Sequence, residues 1–321
     1  MKSFVVDPLP GSIPYENRRS IRVKAKFSGM KFIDFLGEYH PPTPRDAWLG
    51  WINAGEILID SFPVRAERIV REGDHFTHVM SDVVEPDVNS AITILHEDDS
   101  IIAVDKPAPL PIHPSGRFHR NTLSWMLERY YDGEKLRVAH RLDANTTGVA
   151  VLCRTAAAAG FVQPQFERRE VKKLYLARVS GTVPWDEHRC DLSIAHASDV
   201  MKRRLSVGAR VTCASGQEAR TDFTVIQRLP DNTTLVQAIP LTGRTNQIRV
   251  HCWSLGFPIL GDLLYLQDKQ IGEQQTHTMT DPPMCLHAHQ LTFCHPEHQT
   301  PVTYQSPAPK WWGNIANSVA K

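Results

Sequence analysis

Along residues 21–27 the apolar positions alternate, Ile21, Val23, Ala25 and Phe27, while Arg18, Arg19, Arg22, Lys24 and Lys26 supply five positive charges with no acid among them. A period of two marks a half-buried strand, here with a basic outer face. Residues 30–39 suit a short helix, and 48–55 a second one closed by Gly55. Ile57, Ile59, Val64 and Ile69 alternate like a hairpin, and the turn Arg71-Glu72-Gly73-Asp74 leads to Phe76 and Val79. A polar stretch over 81–90 is a linker. Ile92, Ile94 and Leu95, then residues 101–104, predict two strands joined by the acidic turn 96–99. The segment 106–111 must be extended, because each proline fixes its own φ and biases its predecessor away from helix. Leu123, Met126, Leu127 and Tyr130 have helical spacing behind an Asn121 or Thr122 cap. Strands follow at 149–153, 173–179, 221–227, 234–239 and 286–293, with helices near 155–168 and 245–255. Pro164 should shorten or kink the first of these helices. Without a βαβ rhythm, this mixture predicts an α+β fold with a mixed, largely antiparallel sheet. The expected division is an extended lead at 1–16, a small unit at 17–88 and a larger one at 89–321.

Composition narrows the classes. The 321 residues are 41% hydrophobic and 22% charged, enough to bury cores in two domains. The formal charge of +1 carries no global signature of a nucleic-acid partner, although a local patch can sit in a neutral total. No apolar run approaches the ~20 residues of a membrane helix, and the N-terminal residues lack a signal-peptide core. Six cysteines without C-x-x-C spacing fit buried thiols in a reducing compartment, so a cytoplasmic protein is expected, with a monomer as the default.

Three windows carry candidate chemistry. His140-Arg141-Leu142-Asp143-Ala144-Asn145-Thr146-Thr147-Gly148 places Asp143 at a strand-to-strand turn, and by itself suits an ordinary turn. In 241–256 a Thr-Gly-Arg loop enters a helix starting near Thr245 or Asn246; Arg244 beside that N-terminus suits an anion, or is simply an exposed arginine next to a capped amphipathic helix. Tyr175 lies on the alternating strand 173–181 and would ordinarily be packing.

Taken in order, these windows resemble a known family. His-Arg-Leu-Asp with Thr-x-Gly, then K-x-Y-x-A-x-V-x-G, T-G-R-T-x-Q-I-R-V-H, Gly256-x-Pro258-Ile259-x-Gly261-Asp262, Leu286-His287-Ala288 and Phe293-x-His295-Pro296 are similar to the RluA-type RNA pseudouridine synthases over roughly residues 92–305. The loop from Lys106-Pro107 to Gly116 resembles the family's segment upstream of the catalytic loop. Residues 55–60 and Gly73-Asp74 resemble a small RNA-binding module named after a ribosomal small-subunit protein.

The resemblance implies that uridines in ribosomal or transfer RNA are isomerised to pseudouridine without cofactor or metal. Asp143 matches the catalytic aspartate, Arg244 the arginine that pairs with it, and Tyr175 the tyrosine that stacks on the target uracil. Arg141 matches the arginine that fills the gap left by the flipped base. Arg141 and Arg249, with the five basic residues of 18–26, are assigned to RNA binding. The chain departs from the family at Asn246, usually His, at Thr147, usually Ser, and at Asn145, often an acid. Two alternatives stand beside this assignment: a non-catalytic RNA-binding protein of the same fold, and a zinc protein using Cys285, His287, His289, Cys294, His295 and His298, whose spacing is unlike structural zinc motifs.

Overall fold

The computed structural model describes residues 2–201 and 208–313. Contacts divide the chain into two units, one of residues 11–84 and one of 1–10 with everything from Glu85 onward. The larger unit opens with β1 (Lys2–Val5). The smaller unit contains β2 (Tyr15–Arg22), α1 (Phe32–Tyr39), α2 (Arg45–Asn53), β3 (Ile57–Ile59), β4 (Phe62–Pro63) and β5 (His75–Val83). Its four-stranded antiparallel sheet, in the order β2-β5-β3-β4, buries Ile21, Val23, Ile57 and Phe76 against Phe32, Phe35 and Leu36 of α1 and Trp48 and Ile52 of α2. The five basic side chains at 18, 19, 22, 24 and 26 are all exposed, including Arg19, which the alternation of Ile21 and Val23 would turn inward. Alternation ends at Val23: residues 25–27 form a 3-10 turn with Ala25 exposed.

The larger unit continues with β6 (Ala91–Glu97), β7 (Ile101–Lys106), α3 (Leu123–Tyr130), β8 (Arg137–Val138), β9 (Thr147–Cys153), α4 (Ala156–Glu167) and β10 (Lys172–Ser180). Then follow β11 (Glu187–Cys190), β12 (Ile194–His196), α5 (Ala197–Met201), β13 (Arg210–Thr212), β14 (Thr221–Leu229), β15 (Thr233–Pro240), α6 (Gln247–Ser254), β16 (Leu286–Cys294) and β17 (Pro301–Gln305). Eleven strands make one sheet in the order β1-β6-β7-β9-β16-β10-β15-β14-β11, with β8 on β9 and β17 on β16. Every pairing is antiparallel except β9 with β16, so the expected mixed, largely antiparallel α+β fold is found.

Two expectations are corrected. Residues 2–5 are not a loose lead: Phe4 stacks on Tyr130 at 4.1 Å, and Lys2 to Val5 pair with Ile94 to Ala91 at the sheet edge. The prolines and Gly11 that follow mask this short strand in the sequence. Pro164 does not shorten α4, which runs from Ala156 to Glu167 with the proline inside it.

The centre of the sheet is apolar on both faces. Ile102, Val104, Ala150 and Leu152 pack under Leu123, Met126 and Leu127 of α3, while Ile101, Ala103, Val149 and Val151 pack against Ala158, Ala159 and Val162 of α4. At roughly 1.5–3 kcal/mol for each large side chain buried, this double core makes the middle strands a rigid frame. The parallel junction pairs Thr147 with His287 and Gly148 with Ala288. Gly148 has φ +109°, and a Cβ there would lie 2.2 Å from the Ala288 carbonyl oxygen, so only glycine fits. That junction begins four residues after Asp143 and fixes the turn that carries it.

Candidate active site

Asp143 sits in the turn between β8 and β9, closed by a hydrogen bond from the Thr146 amide to the Asp143 carbonyl at 3.1 Å. Lys106, at the end of β7, supports the turn from below. Its fully buried ammonium donates to the carbonyls of Ala144 (3.1 Å), Leu110 (2.9 Å) and Pro107 (2.9 Å). Burial brings its pKa down to about 7, while the Asp143 and Asp105 carboxylates oppose the fall. Asn145 clamps the other side, donating to the Gln275 carbonyl (2.7 Å) and accepting from the His277 amide (3.0 Å). An acid at this position could only accept.

The partner of Asp143 is Arg249, not Arg244. Arg249 Nη1 donates to Asp143 Oδ2 at 3.2 Å, and its Nε and Nη2 grip Asp262 in a two-pronged bond of 2.7 and 2.8 Å. Expected among the RNA contacts, Arg249 is instead 3% exposed. Its inward direction follows from where α6 starts: Asn246 takes a left-handed φ of 57°, the helix begins at Gln247, and its residues from 247 to 253 are all buried. Arg244 precedes the helix, in the loop. Its amide donates to Gln247 Oε1 (3.0 Å) and its Nε to the Glu218 carbonyl (3.0 Å). Although burial opposes charge on Arg249, the Asp262 and Asp143 carboxylates outweigh it and hold the guanidinium firmly protonated.

Asp143, Tyr175, Arg141, Arg244 and Arg249 line one cavity of about 420 Å³, within the usual range for small-molecule sites of roughly 300–1,000 Å³. Tyr175 comes from β10, with Leu286 of β16 also on the wall. Burial, reinforced by the Asp143 charge, raises the pKa of the Tyr175 hydroxyl well above its ordinary value, so it stays protonated and offers a ring face and a donor rather than a base. Lys173, two residues away on the same strand, also lines the cavity; its ammonium donates to the Thr242 carbonyl at 3.1 Å, and burial, then Arg169, lowers its pKa to about 8. Arg141 is exposed at the same cavity. The chemistry available is one carboxylate held by a fixed cation, in a cavity whose wall also carries a tyrosine ring on which a planar base can stack.

Sequence reasoning missed Lys106 and left Asp262 without a role. The available signals were a lysine ending the apolar run 101–104 and the Gly261-Asp262 pair. The proposed zinc set is not assembled either. Strand β16 is buried on both faces rather than carrying one polar face, and His287 turns to Thr147 Oγ1 at 2.8 Å. Among the described residues the one metal-sized group is His96, Asp98 and His295, in which both ring Nε2 atoms meet the same Asp98 oxygen at 2.7 and 3.0 Å.

Residues 100–254 match the family model described as RNA pseudouridylate synthase. RNA pseudouridine synthase 7 of Arabidopsis thaliana is 34% identical over 79% of this chain and 65% of its own length. The chain spans 43% to 65% of the length of several such curated relatives. The solved structure of human RNA pseudouridylate synthase domain containing 1 superimposes with a TM-score of 0.56 at 26% identity, covering 68% of this chain and 84% of that one. The dual-specificity RNA pseudouridine synthase RluA of Escherichia coli is 36% identical over 68% of this chain and 93% of its own length, and with a relative covered nearly end to end, this chain belongs to the RluA-type family of RNA pseudouridine synthases.

Proposed function

We propose that this protein isomerises uridine to pseudouridine in ribosomal or transfer RNA, with Asp143 as the catalytic carboxylate and no cofactor. The observation that carries the proposal is a carboxylate with a quarter of its side chain exposed, held by a buried arginine, in the cavity that Tyr175 also lines. Relatives named for transfer RNA and for the large ribosomal subunit support the substrate class. Among the described residues no helix is long and apolar enough to cross a membrane. All six cysteines are free thiols.

The reaction breaks the bond from ribose C1′ to uracil N1, turns the base and joins C5 to C1′. N1 gains a proton and the C5 hydrogen leaves to water, so mass and oxidation state are unchanged. Asp143 acts on the sugar, as nucleophile or as base. A uracil in folded RNA must first be extruded, at a cost of a few kcal/mol. Stacking on Tyr175, worth about 1–3 kcal/mol, and Arg141 in the vacated place offset that cost. Tritium release from RNA carrying 5-tritiated uridine tests the proposal under single turnover. Tight RNA binding with no release would favour the non-catalytic alternative.

Tyr175→Phe should keep the ring face and retain most of the rate, whereas Tyr175→Leu should lose about tenfold or more, as expected for 1–3 kcal/mol of stacking. Equal losses would assign the role to the hydroxyl.

The exposed Arg18, Arg19, Arg22, Lys24 and Lys26 are proposed to neutralise RNA phosphates. Changing all five to Ser should weaken RNA binding and flatten its salt dependence by about 0.7 in log–log slope for each phosphate no longer neutralised, with turnover retained at saturating RNA. An unchanged affinity and slope would leave them a merely solvated face.

A further inference from the structure

Arg249 has five N–H donors and is surrounded by acceptors that fix its plane. Asp262 takes Nε and Nη2, and is itself pinned by the amides of Leu264 (2.9 Å) and Tyr265 (3.1 Å) on Oδ1. Nη1 carries two protons; one goes to Asp143 and the other to Asn246 Oδ1 at 3.1 Å. A guanidinium has no acceptor, so the Asn246 amide can face it only through Oδ1. The Nδ2 end turns to the Tyr265 hydroxyl at 3.2 Å and the Gly208 carbonyl at 3.4 Å. The Tyr265 ring lies 5.1 Å from the guanidinium carbon. Asp262 thus sets where the guanidinium sits, and the Asn246 acceptor sets how far it can pivot about that fork.

We propose that Asn246, seated on the Tyr265 hydroxyl, is the positioning residue that aims Arg249 at Asp143. This rests on the assignment of the chemistry to Asp143. The competing explanation is that Asn246 only supplies the left-handed backbone before α6, since asparagine tolerates φ near its value of 57°. Glycine separates the two, because it adopts that backbone freely and removes the amide.

Asn246→Gly is expected to melt within a few degrees of wild type and to lower kcat about tenfold, the scale of one hydrogen bond to a charged group, with KM for RNA within about twofold. Tyr265→Phe should lower kcat less, in the same pattern. Because both act through one chain of hydrogen bonds, the double variant should be no slower than Asn246→Gly alone. Wild-type kcat in Asn246→Gly, or losses that multiply in the double variant, would overturn the proposal. If Asp143→Asn is inactive while Asn246→Gly is normal, only this inference fails. If Asp143→Asn turns over, the assignment of Asp143 itself fails.

Discussion

Asp143→Asn is expected to abolish pseudouridine formation while leaving the protein folded and able to bind RNA. The amide keeps the shape but is neutral, and it serves neither as a nucleophile nor as a base, so the loss should exceed the roughly 10²–10⁴-fold of acid–base catalysis alone. Stability should survive for a reason visible in the site. The Arg249 charge keeps its two-pronged bond to Asp262 and its hydrogen bond to Asn246, so that buried cation is not left unpaired. Tritium release and thermal melting on the same sample check both halves. Activity within about tenfold of wild type would remove Asp143 from the mechanism.

Arg249→Lys should damage both stability and rate, and Arg244→Lys should damage neither to a comparable degree. Arg249 donates four hydrogen bonds, reaching Asp262, Asp143 and Asn246 at once, while an ammonium is a single point and cannot bridge them. Asp262, whose side chain is 0% exposed, would keep a buried charge without its fork, at a cost of about 3–5 kcal/mol. Stability by denaturant titration, together with single-turnover rates, separates this from Arg244→Lys, which gives up one bond to the Glu218 carbonyl. A more harmful change at Arg244 than at Arg249 would mean that the carboxylate is held differently during reaction.

The sequence carried the turn around Asp143, the Thr122 cap, which accepts from the Trp125 amide, and the central strands, because each is written in local pattern. Between the two arginines of 244–249, the resemblance pointed to Arg244 as the partner of Asp143, and the structure has Arg249 there. That choice depends on one backbone angle at Asn246 and on Asp262, a partner reached only through the fold. Lys106 escaped for a similar reason: its acceptors include the carbonyl of Ala144, thirty-eight residues away. The pairing of β1 was hidden because four residues hold too few alternations to count.

That edge strand changes how the protein can be taken apart. The larger unit is interrupted after Pro10 and resumed at Glu85, and its two flanking strands are hydrogen-bonded neighbours, Val5 opposite Ala91. Residues 11–84 are therefore an insertion within the larger unit, whose flanking segments meet at Val5 and Ala91. A truncation that begins near residue 88 would strip β1, leaving one rim of Ala91–Glu97 unpaired and Tyr130 without its Phe4 stack. Bare rims of this kind invite intermolecular strand pairing, so such a protein should aggregate for reasons unrelated to RNA. Excision of 11–84 with a short splice keeps the rim covered and isolates the catalytic sheet.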